Sequence, residues 1–461
     1  MLQLPQSVLS IIKTFTDQGF ECFAVGGSIR DLLLNRPTHA WDFTTNATPQ
    51  EIQKLFPDCF YDNEFGTVGI KIRSSKRQTN ESWVEDVYEV TTYRHESDYT
   101  DKRHPDKVTW GKSLEEDLGR RDFTIGAIAY DGKKLIDPYQ GQLDLEQNIV
   151  RCVGNPDTRF HEDALRILRA IRIATELGFT IEPATFTAIQ QNVKLLKNIS
   201  ADRLRQELMH IMKSHYPSDG IMLLKNAGII AQILPELETC FGVPQQSPKR
   251  HHIYDVGTHL ILSLKHCPSV NPVVRFATLL HDIGKPLVFH KDEPSKLITF
   301  YNHEVVGARI TKNIAKRLNF SNKDTEKLIT LVRWHQFTVD ENQTDATLRR
   351  FIRRVGIENL QDMLDLRIGD RLGGGARETS WRLRLYMKRL EEVQKQPFTV
   401  ADLKVDGYEI MKLFNLKPGP KVGKILNELF NDVISEKLKN NKEDLLQYLR
   451  NKIKTDQLIT S

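Results

Sequence analysis

The chain has 461 residues, 39% hydrophobic and 27% charged, with a formal net charge of +5. That length supports about two to four domains, and that composition excludes a disordered polyelectrolyte. The five cysteines (Cys22, Cys59, Cys152, Cys240, Cys267) form no Cys-x-x-Cys pair and no apolar run nears a span of about 18 residues, so a disulfide framework, a cysteine zinc site and a membrane partner are not expected and a cytoplasmic location is.

The first element is an amphipathic helix within 1–20, with Val8, Ile11, Ile12 and Phe15 on one face. It lacks the basic start and continuous apolar core of a signal peptide. Short β-like runs follow at 22–25, 68–72, 87–93 and 125–130, interleaved with helical patterns and Gly/Asp turns, the texture of an α/β or α+β domain. From Asp157 helical periodicity takes over, beginning with Leu165-x-x-Leu168-x-x-Ile171. A Pro/Gln/Ser/Lys stretch at 243–250 reads as a linker, and Gly373-Gly374-Gly375 as a break. The fold expected is α+β, with a small mixed-sheet head at 1–150 and a helical neck at 151–245. A helical body at 246–375 and a helical tail at 376–461 complete it.

Within the head, Val25-Gly26-Gly27-Ser28-Ile29-Arg30-Asp31 takes a strand through a Gly-Gly turn into a helix. Such a turn aims backbone N–H groups at an anion, and glycine lets a triphosphate approach. Arg30 lies one turn further in. Eleven residues after Asp31 a short strand, Trp41-Asp42-Phe43-Thr44-Thr45, carries one acid between aromatics.

This combination resembles the polymerase β nucleotidyltransferase superfamily, and within it class II, the bacterial-type CCA-adding enzymes and poly(A) polymerases. The class carries Gly-Gly-x-x-Arg-Asp followed by Asp-x-Asp on a strand. Alternate strand residues face one side, where two carboxylates hold Mg²⁺ ions that activate a primer hydroxyl and neutralise a triphosphate. Here the segment reads Ala40-Trp41-Asp42, with a methyl group at the position of the first ligand. Either an inactivating substitution or a natural loss of polymerisation accounts for Ala40, and the intact neighbours favour the former.

The strand Val87-Tyr88-Glu89-Val90-Thr91-Thr92 is similar to the class's Glu-Val-Thr-Thr strand, which makes Glu89 the third-carboxylate candidate, with Glu85 and Asp86 as alternatives. The polar stretch 95–112 matches the loop that CC-adding relatives lack. Arg120-Arg121-Asp122-Phe123-Thr124 resembles the element whose Arg binds triphosphate and whose Asp helps select ribose. The family's usual Ile-Asn-Ala then reads Ile125-Gly126-Ala127, one polar contact fewer.

In the neck, Glu162-Asp163-x-x-Arg166-x-x-Arg169-x-x-Arg172 places an acid and three arginines along one side of a helix. It resembles the class's amino-acid template, in which Asp163 and Arg166 hydrogen-bond the base edge of CTP or ATP. Arg forks and carboxylates offer the donors and acceptors that this needs. Arg169 and Arg172 would stabilise phosphates or brace the template.

The body gathers His251, His252, His259, His281-Asp282, His303, His335 and Asp370. His281-Asp282-Ile283-Gly284-Lys285 resembles the HD hallmark, and His259, His281, Asp282 and Asp370 fit its ligand order. Imidazole with carboxylate suits Mn²⁺, Ni²⁺, Fe²⁺ or Zn²⁺ and phosphoester hydrolysis. In the tail, Lys417-Pro418-Gly419-Pro420-Lys421-Val422-Gly423-Lys424 resembles the class's segment near the tRNA body. Lys417, Lys421 and Lys424 would grip phosphates without reading sequence. The resemblance implies a tRNA nucleotidyltransferase using CTP and ATP, with A-adding, poly(A)-forming, silent tRNA-binding and HD-hydrolase readings as the alternatives.

Overall fold

The computed structural model describes residues 2–38, 40–61, 66–79, 82–97, 107–111, 113–245, 254–337, 339–340, 342–376, 381–394, 400–435 and 437–459, with side chains left out at 73–79, 82–86, 94–97, 107–109 and 453–459. It divides into two compact units, Met1–Thr239 with Ile314–Phe320, and Cys240–Asn313 with Ser321–Ser461. The first unit holds the expected head, most of the expected neck and 314–320 of the expected body; the second holds 240–245, the rest of the body and the tail.

The first unit opens with the helix Gln6–Asp17, which buries Val8, Ile11, Ile12 and Phe15, as its periodicity requires. The described strands that follow up to residue 136 are β1 (Cys22–Val25), β2 (Asp42–Thr45), β3 (Cys59–Tyr61), β4 (Thr67–Thr79), β5 (Ser82–Thr92), β6 (Arg94–Ser97), β7 (Lys107–Trp110), β8 (Ala129–Tyr130) and β9 (Leu135–Ile136). Seven form one mixed sheet in the order β3-β4-β5-β2-β1-β8-β9. The interior strand β1 buries Cys22, Ala24 and Val25, as a strand covered on both faces should. β2 is antiparallel to β1 and parallel to β5.

Two expectations change. The stretch 125–130 is not one strand: Thr124–Gly126 is a 3-10 turn and only Ala129–Tyr130 pairs in the sheet. The Thr124 hydroxyl donates to Asp144 (2.6 Å), and a Cβ on Gly141 would lie 2.3 Å from the Thr124 carbonyl oxygen. This close packing sets the local turn. The stretch 95–112 is not all loop, because β6 and β7 pair as antiparallel arms; its middle, 98–106, lies outside the described residues.

In the neck the helix Leu165–Leu177 buries an apolar face of Ile167, Leu168, Ala170, Ile171 and Ala174, and ends at Gly178, whose φ of 73° suits a glycine stop. Arg172 pairs with Glu176 (3.0 Å) and with Glu207 of the helix Ala201–Lys213 (2.7 Å).

The second unit is almost wholly helical. The helices Val256–His266 and Leu360–Gly373 approach closely because Gly369 and Gly373 face Ser263, where a Cβ would lie 2.6 Å and 2.4 Å from its atoms. That contact sets His259 beside Asp370. The tail has its own core of Val405, Ile410, Leu429, Phe430 and Leu445. No described helix is long and apolar enough to cross a membrane.

Candidate active site and histidine centre

Parallel pairing of β2 with β5 sets Asp42 directly opposite Glu89. Registered neighbours project to the same side of a sheet, so both carboxylates share one face, and both residues are exposed. Ala40 and Asp42 are exposed on either side of Trp41, which is 3% exposed and accepts a hydrogen bond from the Glu89 amide at 3.1 Å. Ala40 lies just outside β2 and offers no ligand atom. Asp42 and Glu89 offer oxygen donors suited to Mg²⁺. Glu85 and Asp86 lie on β5, and their side chains are outside the described residues.

The Gly-Gly turn abuts this face. Gly26 has φ 78°, and a Cβ there would sit 3.0 Å from Arg121 Nη1 and 3.5 Å from Asp42 Oδ2. Arg30 is drawn to its neighbour Asp31 (2.8 Å). Replacing Gly26 by Ala imposes left-handed strain of ~1–2 kcal/mol and pushes on Arg121. We expect Gly26→Ala to lower the melting temperature by about 2–8 °C, read by thermal melt; an unchanged melting temperature would contradict this.

Arg121 is held from behind by the fully buried Asp117, which also accepts from Thr44 (3.0 Å) and pairs with Arg120 (2.8 Å). The charge pattern Glu116-Asp117 before Arg120-Arg121 is the signal that could have found Asp117. Burial lowers the Arg121 pKa, against the pull of Asp117 and Asp42. Although the Asp42 side chain reaches solvent, the atoms packed around its carboxylate raise its pKa, opposed by Arg121 and Arg169. Asp122 is lowered: burial works against this, but Arg169, at 2.8 Å, and Arg166 outweigh it.

The neck residues are arranged differently from a single helical stripe. Asp163 caps the helix Pro156–Glu162 with φ −137° and ψ 105°, outside the helix Leu165–Leu177. Its carboxylate accepts from the Leu165 amide (3.0 Å) and from Arg203 (3.1 Å), a partner that sequence reasoning missed. Arg166 is buried; Nη1 donates to Glu162 (2.6 Å) and Nη2 to the Arg120 carbonyl (3.0 Å). Asp122 is thus paired with Arg169, Glu162 with Arg166 and Asp163 with Arg203, while Arg172 turns away to brace the neck helices.

In the second unit, His259, His281, Asp282, His303, His335 and Asp370 converge; His251 and His252 lie outside the described residues. His259 Nε2 lies 3.3 Å from His281 Nε2 and 3.2 Å from Asp370. His281 Nε2 lies 3.3 Å from Asp282 Oδ2. Burial opposes protonation of His281, yet Asp282 and Asp370 raise its pKa to about 10. Asp282 is held far below the usual carboxylate range: burial resists this, and Lys285 and His281 overcome it. Such a donor set fits a borderline transition ion.

Gly284 makes the centre possible, because a Cβ there would lie 2.2 Å from the His303 carbonyl oxygen and 2.6 Å from the Gly307 amide. Backbone atoms cannot yield as a side chain can. We expect Gly284→Ala to cost ~1–3 kcal/mol and to reduce metal retention after dialysis; a variant that melts and retains metal normally would refute this role. In the tail Lys417, Lys421 and Lys424 are all exposed around the start of the helix Pro420–Ile434.

A mixed-sheet head with acids on adjacent strands, followed by Arg/Asp pairs at the start of a helical body, defines a nucleotidyltransferase. Residues 22–151 match the Poly A polymerase head domain, 178–241 an RNA and SrmB-binding site of polymerase A, and 297–449 the tRNA nucleotidyltransferase domain 2. The chain belongs to the class II CCA-adding enzyme and poly(A) polymerase family. It is 32% identical over 456 residues to the CCA-adding enzyme of Streptococcus mutans, covering 97% of each chain. It is 36% identical to the A-adding tRNA nucleotidyltransferase of Deinococcus radiodurans, over 70% of this chain and 76% of that one. Its fold matches the Bacillus stearothermophilus CCA-adding enzyme in complex with CTP, with TM-score 0.71, 25% identity and 99% of each chain covered.

Proposed function

We propose that this chain is built to add C, C and A to the 3′ ends of tRNA from CTP and ATP without a nucleic-acid template. The observation that carries the reading is the side-by-side register of Asp42 and Glu89 on a face reached by Arg121. In the reaction the tRNA 3′-oxygen attacks the α-phosphorus, the α–β P–O bond breaks, pyrophosphate leaves and the hydroxyl proton passes to solvent. Mg²⁺, when bound, supplies charge neutralisation and hydroxyl activation. Asp42 and Glu89 hold it, Gly26, Gly27, Arg30 and Arg121 receive the triphosphate, and Asp122 meets the ribose. Asp163 and Arg166, set by Glu162 and Arg203, meet the base edge.

By this reading 1–150 transfers, 151–245 selects the base, 246–375 carries the metal centre and 376–461 grips tRNA through Lys417, Lys421 and Lys424. Ala40 leaves the chain impaired as written. His259, His281, Asp282 and Asp370 hold a transition ion suited to phosphoester hydrolysis.

The test incubates tRNA lacking its CCA end with CTP, ATP or both, using this chain and its Ala40→Asp variant in parallel. C addition with CTP alone, and completion when ATP is added, supports the proposal. A addition only to a CC end would assign the activity of the Deinococcus relative instead. Tight tRNA binding without addition by either form would make this a silent binder.

A further inference from the structure

Four residues stand in one row across the head sheet. Phe60 of β3 is in register with Gly69 of β4, Gly69 with Glu89 of β5, and Glu89 with Asp42 of β2. Registered neighbours project to one side of a sheet, so the row lies on the face that carries both carboxylates. A Cβ on Gly69 would lie 2.7 Å and 2.9 Å from the two Phe60 Cε atoms. The Phe60 ring therefore fills the place that glycine leaves empty, beside Glu89, and is still 40% exposed. Val87, two residues before Glu89, adds an exposed apolar side chain to the same face, and exposed Lys71 is its registered partner. Shielding a glycine accounts for where the ring lies. Its open face, beside two acids that can hold a cation and close to a lysine, suits a flat, partly apolar and negatively charged partner.

In-line displacement sets the attacking oxygen and the leaving group on opposite sides of the reacting phosphorus. The Gly26 turn and Arg121 flank Asp42 on the β1 side, where a Cβ on Gly26 would sit 3.5 Å from Asp42 Oδ2. Pyrophosphate released from a triphosphate received there departs toward β1, so the attacking 3′-oxygen arrives from the β5 and β4 side, over Glu89. We propose that Phe60 is the platform on which the 3′-terminal base of the RNA acceptor stacks. Every base has a π-face, so such a platform takes any terminal nucleotide, as it must when the acceptor end changes with each addition. This placement rests on the proposed transfer reaction and adds the acceptor side of its site.

The test uses the chain as it stands, bound to tRNA that lacks CCA and ends in 5-iodouridine, irradiated and mapped by mass spectrometry. A cross-link at Phe60 is expected, and Phe60→Leu, which still covers Gly69, should abolish it. In the Ala40→Asp protein, Phe60→Leu should raise KM for tRNA by at least about fivefold, the lower end for one base on one ring. KM for CTP should not move, and Phe60→Trp should behave like the parent. A cross-link at Phe60 without transfer by Ala40→Asp would sustain the platform and sink the proposed reaction. Transfer without that cross-link, or with KM for tRNA unmoved by Phe60→Leu, would overturn the platform alone. Equal rises in both KM values would also overturn it, leaving Phe60 as a cover for Gly69.

Discussion

Ala40→Asp is expected to raise the rate of C addition to tRNA by about a thousandfold or more. Position 40 lies two residues before Asp42, just outside β2, and is exposed like Asp42, which faces Glu89 in register. By the proposed reading, a carboxylate there would complete the oxygen set for a divalent ion. A missing ligand costs several kcal/mol of transition-state stabilisation, and ~1.4 kcal/mol is a factor of ten. The gain should lie mainly in kcat, because Gly26, Arg121 and the paired neck residues are already in place. Asp42→Ala in the restored protein should remove it again. Single-turnover assays with saturating CTP read both changes. A restored protein no faster than this chain would mean that position 40 does not limit transfer.

The second large effect concerns choice of base. Arg166→Ala in the Ala40→Asp protein should cut discrimination for CTP over UTP by about ten- to a hundredfold, since a bidentate polar contact contributes ~1–3 kcal/mol of selectivity. Glu162 and the Arg120 carbonyl fix the Arg166 guanidinium plane, so Arg166→Lys, lacking that planar fork, should not rescue it. Transfer of a nucleotide already bound should fall much less. Competing CTP and UTP at equal concentration and sequencing the added residue measures the ratio. Equal loss for both nucleotides would make Arg166 a structural brace and leave base choice elsewhere.

The parts legible in the sequence were those fixed by local chemistry. The Gly-Gly turn, the amphipathic first helix and the buried β1 strand all follow from side-chain spacing. Parallel pairing of β2 with β5 was less visible, since it joins segments over forty residues apart in sequence and depends on the whole sheet. The spacing of Asp163, Arg166, Arg169 and Arg172 read as one stripe, yet the chain breaks at Asp163 without a proline or glycine to mark it. Arg203 and Asp117 matter through tertiary pairing, and local pattern carries little of that. The histidines of the second unit were countable from the sequence. Their convergence required the fold, and so did the close approach at Gly284.

The most direct measurement is the 3′-end sequence of tRNA lacking CCA after incubation with the Ala40→Asp protein and both CTP and ATP. The account predicts three added nucleotides, C, C and A, and then a stop. Long A tails, a single A restricted to ends already carrying CC, or unextended RNA would contradict it.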